Sequence, residues 1–157
     1  MRSIIFSLLL FLFLPLAHYG QDIAVIKFED LEKKYSNASD TLYLVNYWAT
    51  WCKPCVEELP DFIKLDKELQ GQKFKMILVS LDFPSQIASR VIPFIKEHDI
   101  EAEVVVLDDD ANVWINLVNK DWDGDIPVTQ IIQKNEKEFY KSSLNYEELI
   151  KIVEPKL

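Results

Sequence analysis

Glycine is almost missing from this chain: 157 residues hold three, beside seven prolines. There is no internal repeat either, and so little glycine and proline argues against a low-complexity or linker-rich design. Basic charge is in short supply, with 17 lysines and arginines against 26 acids and a formal charge of −9. A chain this acidic is a poor partner for nucleic acid or an anionic membrane surface. Histidine occurs only at His18 and His98, and cysteine only at Cys52 and Cys55. A zinc centre needs four ligands, which Cys52, Cys55 and His98 do not supply. Haem attachment needs a histidine directly after the second cysteine, where Val56 stands. The expectation is a protein with no metal site and no bound cofactor.

Only one long apolar run is present, over residues 4–16, behind the positive start Met1-Arg2. A membrane-spanning helix needs about 20 apolar residues, and a signal-peptide core about 7–15. Ala17 and Gly20 are the small residues available for cleavage, with His18 as a blemish in the site. No cysteine follows for a lipid anchor. The reading is therefore an exported chain, periplasmic or otherwise extracytoplasmic, with residues 1–20 a signal peptide (or an uncleaved N-terminal membrane anchor). Residues 21–157 then form one domain. Its loss of Arg2 and of no acid leaves a charge of about −10. A cysteine pair in an exported chain meets oxidising conditions.

What remains has ordinary globular chemistry, 49% apolar and 27% charged, and enough length for a real core. Residues 28–35 read as a short amphipathic helix. Residues 41–47 (TLYLVNY) are aromatic and β-branched without clean alternation, which suits a strand buried on both faces. A helical apolar stripe runs at 56, 59, 62, 65 and 69, and Gly71 marks its stop. A second buried strand follows at 74–81. A helix at 85–98 should be kinked by Pro93, and a short strand lies at 104–107. Asp108 to Asp110 form an acidic run that reads as a loop, with Asp110 at the start of a helix over 111–118. Strands at 128–132 and 138–141 join through a turn at Lys134 and Asn135. Asn145 caps a last helix that reaches about Val153. This alternation, closed by a hairpin and a helix, predicts an α/β fold with helices on both sides of one sheet.

Cys52-Lys53-Pro54-Cys55 lies where the first buried strand ends and the long helix begins. Thiols three apart can close a small ring, or attack another protein's disulfide in succession. A purely structural bridge is the lesser reading, because so small a loop constrains the unfolded chain little. The helix N-terminus offers free N–H groups and partial positive charge, which stabilise a thiolate. Cys52 is then the exposed nucleophile, and Cys55, one turn in, the resolving thiol. Pro54 occupies a first-turn position that can spare its N–H. Lys53 adds positive charge beside the sulfurs, unless it is simply a solvated loop lysine. His98 is the one candidate base beyond the leader, and it reads as a surface residue at a helix end.

The stretch YWATWCKPCVEELP over 47–60 resembles the active-site segment of thioredoxin-like proteins, and within them the exported TlpA/ResA-type thiol–disulfide oxidoreductases. Downstream, WDGDIPVT over 122–129 resembles the family's cis-proline loop. The segment 74–117 is similar to the extra strand–helix unit of the exported forms. The resemblance covers about 22–157. It implies the thioredoxin fold, a central mixed β-sheet flanked by helices, with that extra unit inserted before the cis-Pro loop. It also implies roles by position. Pro127 is the cis proline, and the Ile126 backbone pairs with an extended substrate strand. Glu58 is a proton relay to Cys55, while Glu57 faces solvent. Trp48 and Trp51 pack beside the cysteines, with Trp51, Lys53 and Pro54 on the substrate surface. Plain thioredoxins carry a buried Asp six residues ahead of the first cysteine. Asn46 stands here and cannot exchange a proton, which shifts that duty to Glu58.

The implied activity is protein-disulfide reduction through the Cys52–Cys55 dithiol/disulfide cycle. Its partners are disulfide-bearing protein substrates and a membrane thiol electron donor, with cytochrome c maturation as one use. The protein is expected to be a monomer, with the redox-active disulfide standing where a cofactor would. The motif also permits a disulfide-donating oxidase or isomerase, or a binding module that does no chemistry. A peroxidase of the same fold class would need an arginine near the attacking cysteine, and beyond the leader only Arg90 is present, far from the motif in sequence.

Overall fold

The computed structural model describes residues 22–36, 40–134 and 136–157. The expected signal segment 1–20, and Asn135 of the expected turn, lie outside the described residues. Six strands form one sheet: β1 (Ala24–Ile26), β2 (Leu42–Trp48), β3 (Phe74–Ser80), β4 (Glu103–Leu107), β5 (Val128–Gln133) and β6 (Glu136–Tyr140). Their order across the sheet is β1-β4-β3-β2-β5-β6. The β1–β4, β4–β3 and β3–β2 pairs are parallel, whereas β5 runs antiparallel to β2, and β6 to β5. This is the mixed sheet of the thioredoxin fold.

β2 is buried along its whole length because its two sides face two different cores. Leu42, Leu44 and Trp48 pack against helices α2 (Lys53–Glu68) and α5 (Tyr146–Val153), through Leu59, Phe62, Leu65 and Leu149. Tyr43, Val45 and Tyr47 face α1 (Phe28–Tyr35) and α4 (Ala111–Val118), meeting Leu31, Trp114 and Val118. Asn46 belongs by alternation to the α2 side. That single parity puts a polar amide under the helix that carries the cysteines.

Helix ends follow the local sequence. Asn145 accepts from the Glu148 N–H, and the Glu148 carboxylate accepts from the Asn145 N–H, a reciprocal cap on α5. Asp110 caps α4 through the Asn112 N–H, and Asp109 accepts from the Phe28 N–H. The acidic run is thus engaged in local structure, and no group of three or more metal-ligating side chains occurs among the described residues.

Two expectations need correction. The helix predicted over 85–98 with one kink is three pieces: a 3₁₀ turn at Pro84–Gln86, a π turn at Ile87–Val91 and α3 at Ile92–Glu97. Pro93 has no N–H for the Ser89 carbonyl, so it sits in the first turn of α3. The turn before it widens, and the Ile92 N–H bonds the Ile87 carbonyl. β6 begins at Glu136, two residues earlier than expected, because Lys134 at φ 56° makes the reversal tight. β1 was not expected at all; three residues are too few to display a period. The β4–α4 unit lies ahead of the Ile126–Pro127 loop, where the resemblance implies an extra unit.

Candidate active site

β2 ends at Trp48, and the chain turns through Ala49, Thr50 and Trp51 into α2. The turn is clamped by Asp82, a fully buried carboxylate two residues past β3. It accepts from the Thr50 N–H at 2.9 Å, the Thr50 hydroxyl at 2.6 Å and the Ser80 hydroxyl at 2.8 Å. Sequence reasoning missed this clamp. The available signal was register, because Trp48 pairs with Ser80 and two more steps bring Thr50 level with Asp82.

Cys52 is the N-cap residue of α2, and Pro54 stands in the first turn. Cys52 and Cys55 are joined by a disulfide, and the Cys55 N–H points at Cys52 Sγ from 3.3 Å. That N–H is one of the unpaired donors of the helix start, so it is placed to stabilise negative charge on this sulfur. The expected exposure of Cys52 is corrected for this disulfide-bonded form: 5% of it is accessible, against 0% of Cys55. Its sulfur is turned inward to Cys55, and the Ile126 carbonyl oxygen lies 3.7 Å away on the other side.

The Ile126–Pro127 peptide bond is cis, and Pro127 is buried while Ile126 is half-buried. The loop ahead of it is pinned by the Trp122 indole N–H, which donates to the Asp125 carbonyl at 2.7 Å. Trp122 in turn packs with Tyr47 and Trp114 at ring separations of 5.3 and 5.4 Å. Gly124 adopts φ +98°, and a Cβ there would meet Ile115 Cδ1 at 3.0 Å. The loop that faces Cys52 is therefore built from the second core.

Beneath the cysteines lies Glu58, buried one turn past Cys55. Its carboxylate accepts from Asn46 Nδ2 at 2.9 Å and from the Leu144 N–H at 2.9 Å. Asn46 Nδ2 also contacts Thr129 Oγ1 at 3.1 Å. Burial pushes the Glu58 carboxyl up to about 7, a rise that the Leu144 and Asn46 hydrogen bonds only partly oppose. A carboxyl near neutrality can give or take a proton at physiological pH.

The remaining expected site residues lie at the surface. Lys53 is 85% exposed, its ammonium 3.6 Å from the exposed Glu57. Trp51 is 57% exposed, whereas Trp48 is fully buried. His98 packs against Phe94 with ring centroids 4.2 Å apart at the end of α3. Arg90 lies exposed in the π turn.

A buried disulfide-linked cysteine pair at a strand–helix junction, faced by a cis-proline loop on a mixed sheet, defines a thioredoxin-like protein with a CxxC motif. The chain belongs to the AhpC/TSA family, whose profile matches residues 20–137. It is 30% identical over 114 residues to the thiol-disulfide oxidoreductase ResA of Oceanobacillus iheyensis, covering 73% of this chain and 52% of that one. It is 30% identical over 76 residues to the thioredoxin-like protein YneN of Bacillus subtilis, covering 48% and 44% respectively. The chain thus spans about half the length of these curated relatives. A thiol:disulfide interchange protein of the thioredoxin family from Chlorobium tepidum superposes with a TM-score of 0.64 at 22% identity, over 80% of this chain and 83% of that one. At that identity the likeness speaks for the fold.

Proposed function

We propose that the protein is an extracytoplasmic protein-disulfide reductase acting through Cys52 and Cys55. The observation that carries this is the Cys52–Cys55 pair at the start of α2, with the Ile126 carbonyl on one side and the buried Glu58 below. In the reduced protein the Cys52 thiolate attacks one sulfur of a substrate disulfide. A mixed disulfide forms and the first substrate thiolate leaves. Glu58 takes the proton from the Cys55 thiol, and Cys55 attacks Cys52 Sγ. The second substrate thiolate departs, and Glu58 returns a proton. Two electrons have passed to the substrate, and the Cys52–Cys55 disulfide remains. A membrane thiol donor supplies the two electrons that restore the dithiol; no further cofactor is needed.

Pro127 keeps the Ile126 backbone open to an extended substrate segment, which adds as a strand. Trp51, Lys53 and Pro54 form the surrounding surface. The relatives named thiol-disulfide oxidoreductases support the reaction class. The apolar leader supports export by a signal peptide over 1–20, and no helix among the described residues is long and apolar enough to cross a membrane. Exported disulfide-bearing proteins, apocytochrome c among them, are the proposed substrates.

The test is the reduction potential of the Cys52–Cys55 couple, equilibrated in thiol buffers. A value at or below about −250 mV is expected of a reductant. A value near about −120 to −180 mV would overturn the direction and make the protein a disulfide donor or isomerase.

A further inference from the structure

The most exposed large apolar side chain among the described residues follows directly on the clamp that holds the cysteine turn. Phe83 is 70% exposed, more than any other large hydrophobic residue among those described. It follows Asp82 directly, as Trp51 follows Thr50, and the Asp82–Thr50 hydrogen bonds tie these two positions together. The parallel β2–β3 pairing ends at Trp48 and Ser80, and carrying its register three steps further sets Trp51 opposite Phe83. Two exposed aromatic residues thus occupy neighbouring stretches of backbone, Trp51 immediately ahead of Cys52 and Phe83 across the Asp82–Thr50 tie.

Neither ring sits on a loose loop. The Phe83 N–H donates to Gln86 Oε1 at 3.2 Å, and the Phe83 carbonyl accepts from the Gln86 N–H at 2.8 Å. Thr50 is held by Asp82, and the Cys52 N–H closes the turn on the Ala49 carbonyl at 3.1 Å. A solvent-facing aromatic on a fixed backbone keeps its apolar surface in water and gains no core packing, yet it is preorganised for a partner. The surroundings define that partner's chemistry. In a chain of net charge −9, no charged residue occurs over 41–52, 83–89 or 126–133, the stretches that hold Trp51, Phe83 and the Ile126 backbone. Lys53, the nearest cation, is engaged by Glu57. The Trp51–Phe83 side of the rim therefore offers neutral and aromatic surface, while exposed charge lies at Lys53 and Asp125 on its other margins.

We propose that Phe83 and Trp51 form an apolar clasp for the substrate segment, selecting disulfides whose attacked cysteine has a bulky apolar side chain close by in an extended chain. This rests on the exchange reaction proposed above and specifies its substrate class. The occupant is a segment of a disulfide-bearing protein, because the clasp is continuous with Cys52 and with the Ile126 backbone at which such a segment would pair.

The experiment uses the full chain in its dithiol form and two synthetic peptides. Each carries one cysteine in disulfide linkage to a chromogenic thiol. One peptide has phenylalanine two residues from the cysteine, and the other has serine there. The expected rate ratio is about tenfold in favour of the phenylalanine peptide, equivalent to about 1.4 kcal/mol of added contact. Phe83→Ser should bring the ratio close to one, while Phe83→Leu keeps most of it. If the wild-type protein reduces neither peptide, the exchange reading itself has failed. Reduction of both at equal rates, or a ratio untouched by Phe83→Ser, overturns the clasp alone. A concentration-dependent dimer that Phe83→Ser abolishes, with the ratio unchanged, would assign this side of the rim to a second copy of the chain and also overturn the proposal.

Discussion

Asn46 on β2 donates its side-chain amide to the Glu58 carboxylate at 2.9 Å, with both groups buried. The residue that cannot carry a proton therefore holds the one that can. A carboxyl at position 46 would offer no N–H when ionised, and two acids at this separation cannot both be charged.

Asn46→Asp should make the two carboxyls titrate as a coupled pair with one proton held to higher pH. At pH 8 the variant is expected to lose about 2 kcal/mol relative to wild type, and less at pH 5. Urea denaturation at both values measures this. Equal losses at the two pH values would mean that Asn46 acts by packing alone.

Glu58 also sets a pH dependence of stability in the wild-type protein. Its carboxyl moves from 4.5 to about 7 on folding, so between those values the native state binds more protons than the unfolded one. Stability from this group is fully present below about pH 4.5 and falls as pH rises through about 7, by roughly 3 kcal/mol at most. Glu58→Gln should flatten that part of the profile. A variant profile that still falls over this window would place the titration elsewhere.

Asp82→Ala leaves the Thr50 N–H, the Thr50 hydroxyl and the Ser80 hydroxyl without their acceptor. The expected loss is roughly 2–3 kcal/mol in chemical denaturation. Slower exchange with peptide disulfides should accompany it, because the turn that carries Trp51 is released. Unchanged exchange in a destabilised but folded protein would confine Asp82 to a structural role.

Gly124→Ala tests the loop ahead of Pro127. At φ +98°, with Ile115 Cδ1 at 3.0 Å from the added carbon, the substitution should cost about 1–2 kcal/mol. A melting temperature equal to wild type would show that the loop shifts freely.

The sequence made β2 and the cysteine junction legible because a strand apolar on both sides can only be central, and a proline two residues past Cys52 fits a helix start. The 85–98 segment was misread for the opposite reason. The influence of Pro93 on its preceding turn depends on whether the chain can widen there, which no periodicity records. Asp82, Thr129 and Leu144 were invisible as site residues because their partners are distant in sequence and come together only through sheet register. Asn46 was read as a lost acid; its role as a donor needed the geometry of Glu58. Phe83 carried no signal in any pattern, and only its exposure beside Trp51 distinguishes it.

β2 lies between β3 and β5 with no edge of its own. Amides in such a strand exchange with solvent only when the molecule opens on its largest scale. The redox pair is therefore anchored to the slowest-opening part of the chain. β1 and β6, at the two margins, can fray without disturbing it. Breathing of the margins leaves thiol chemistry intact, so the protein should keep its activity until the whole sheet gives way.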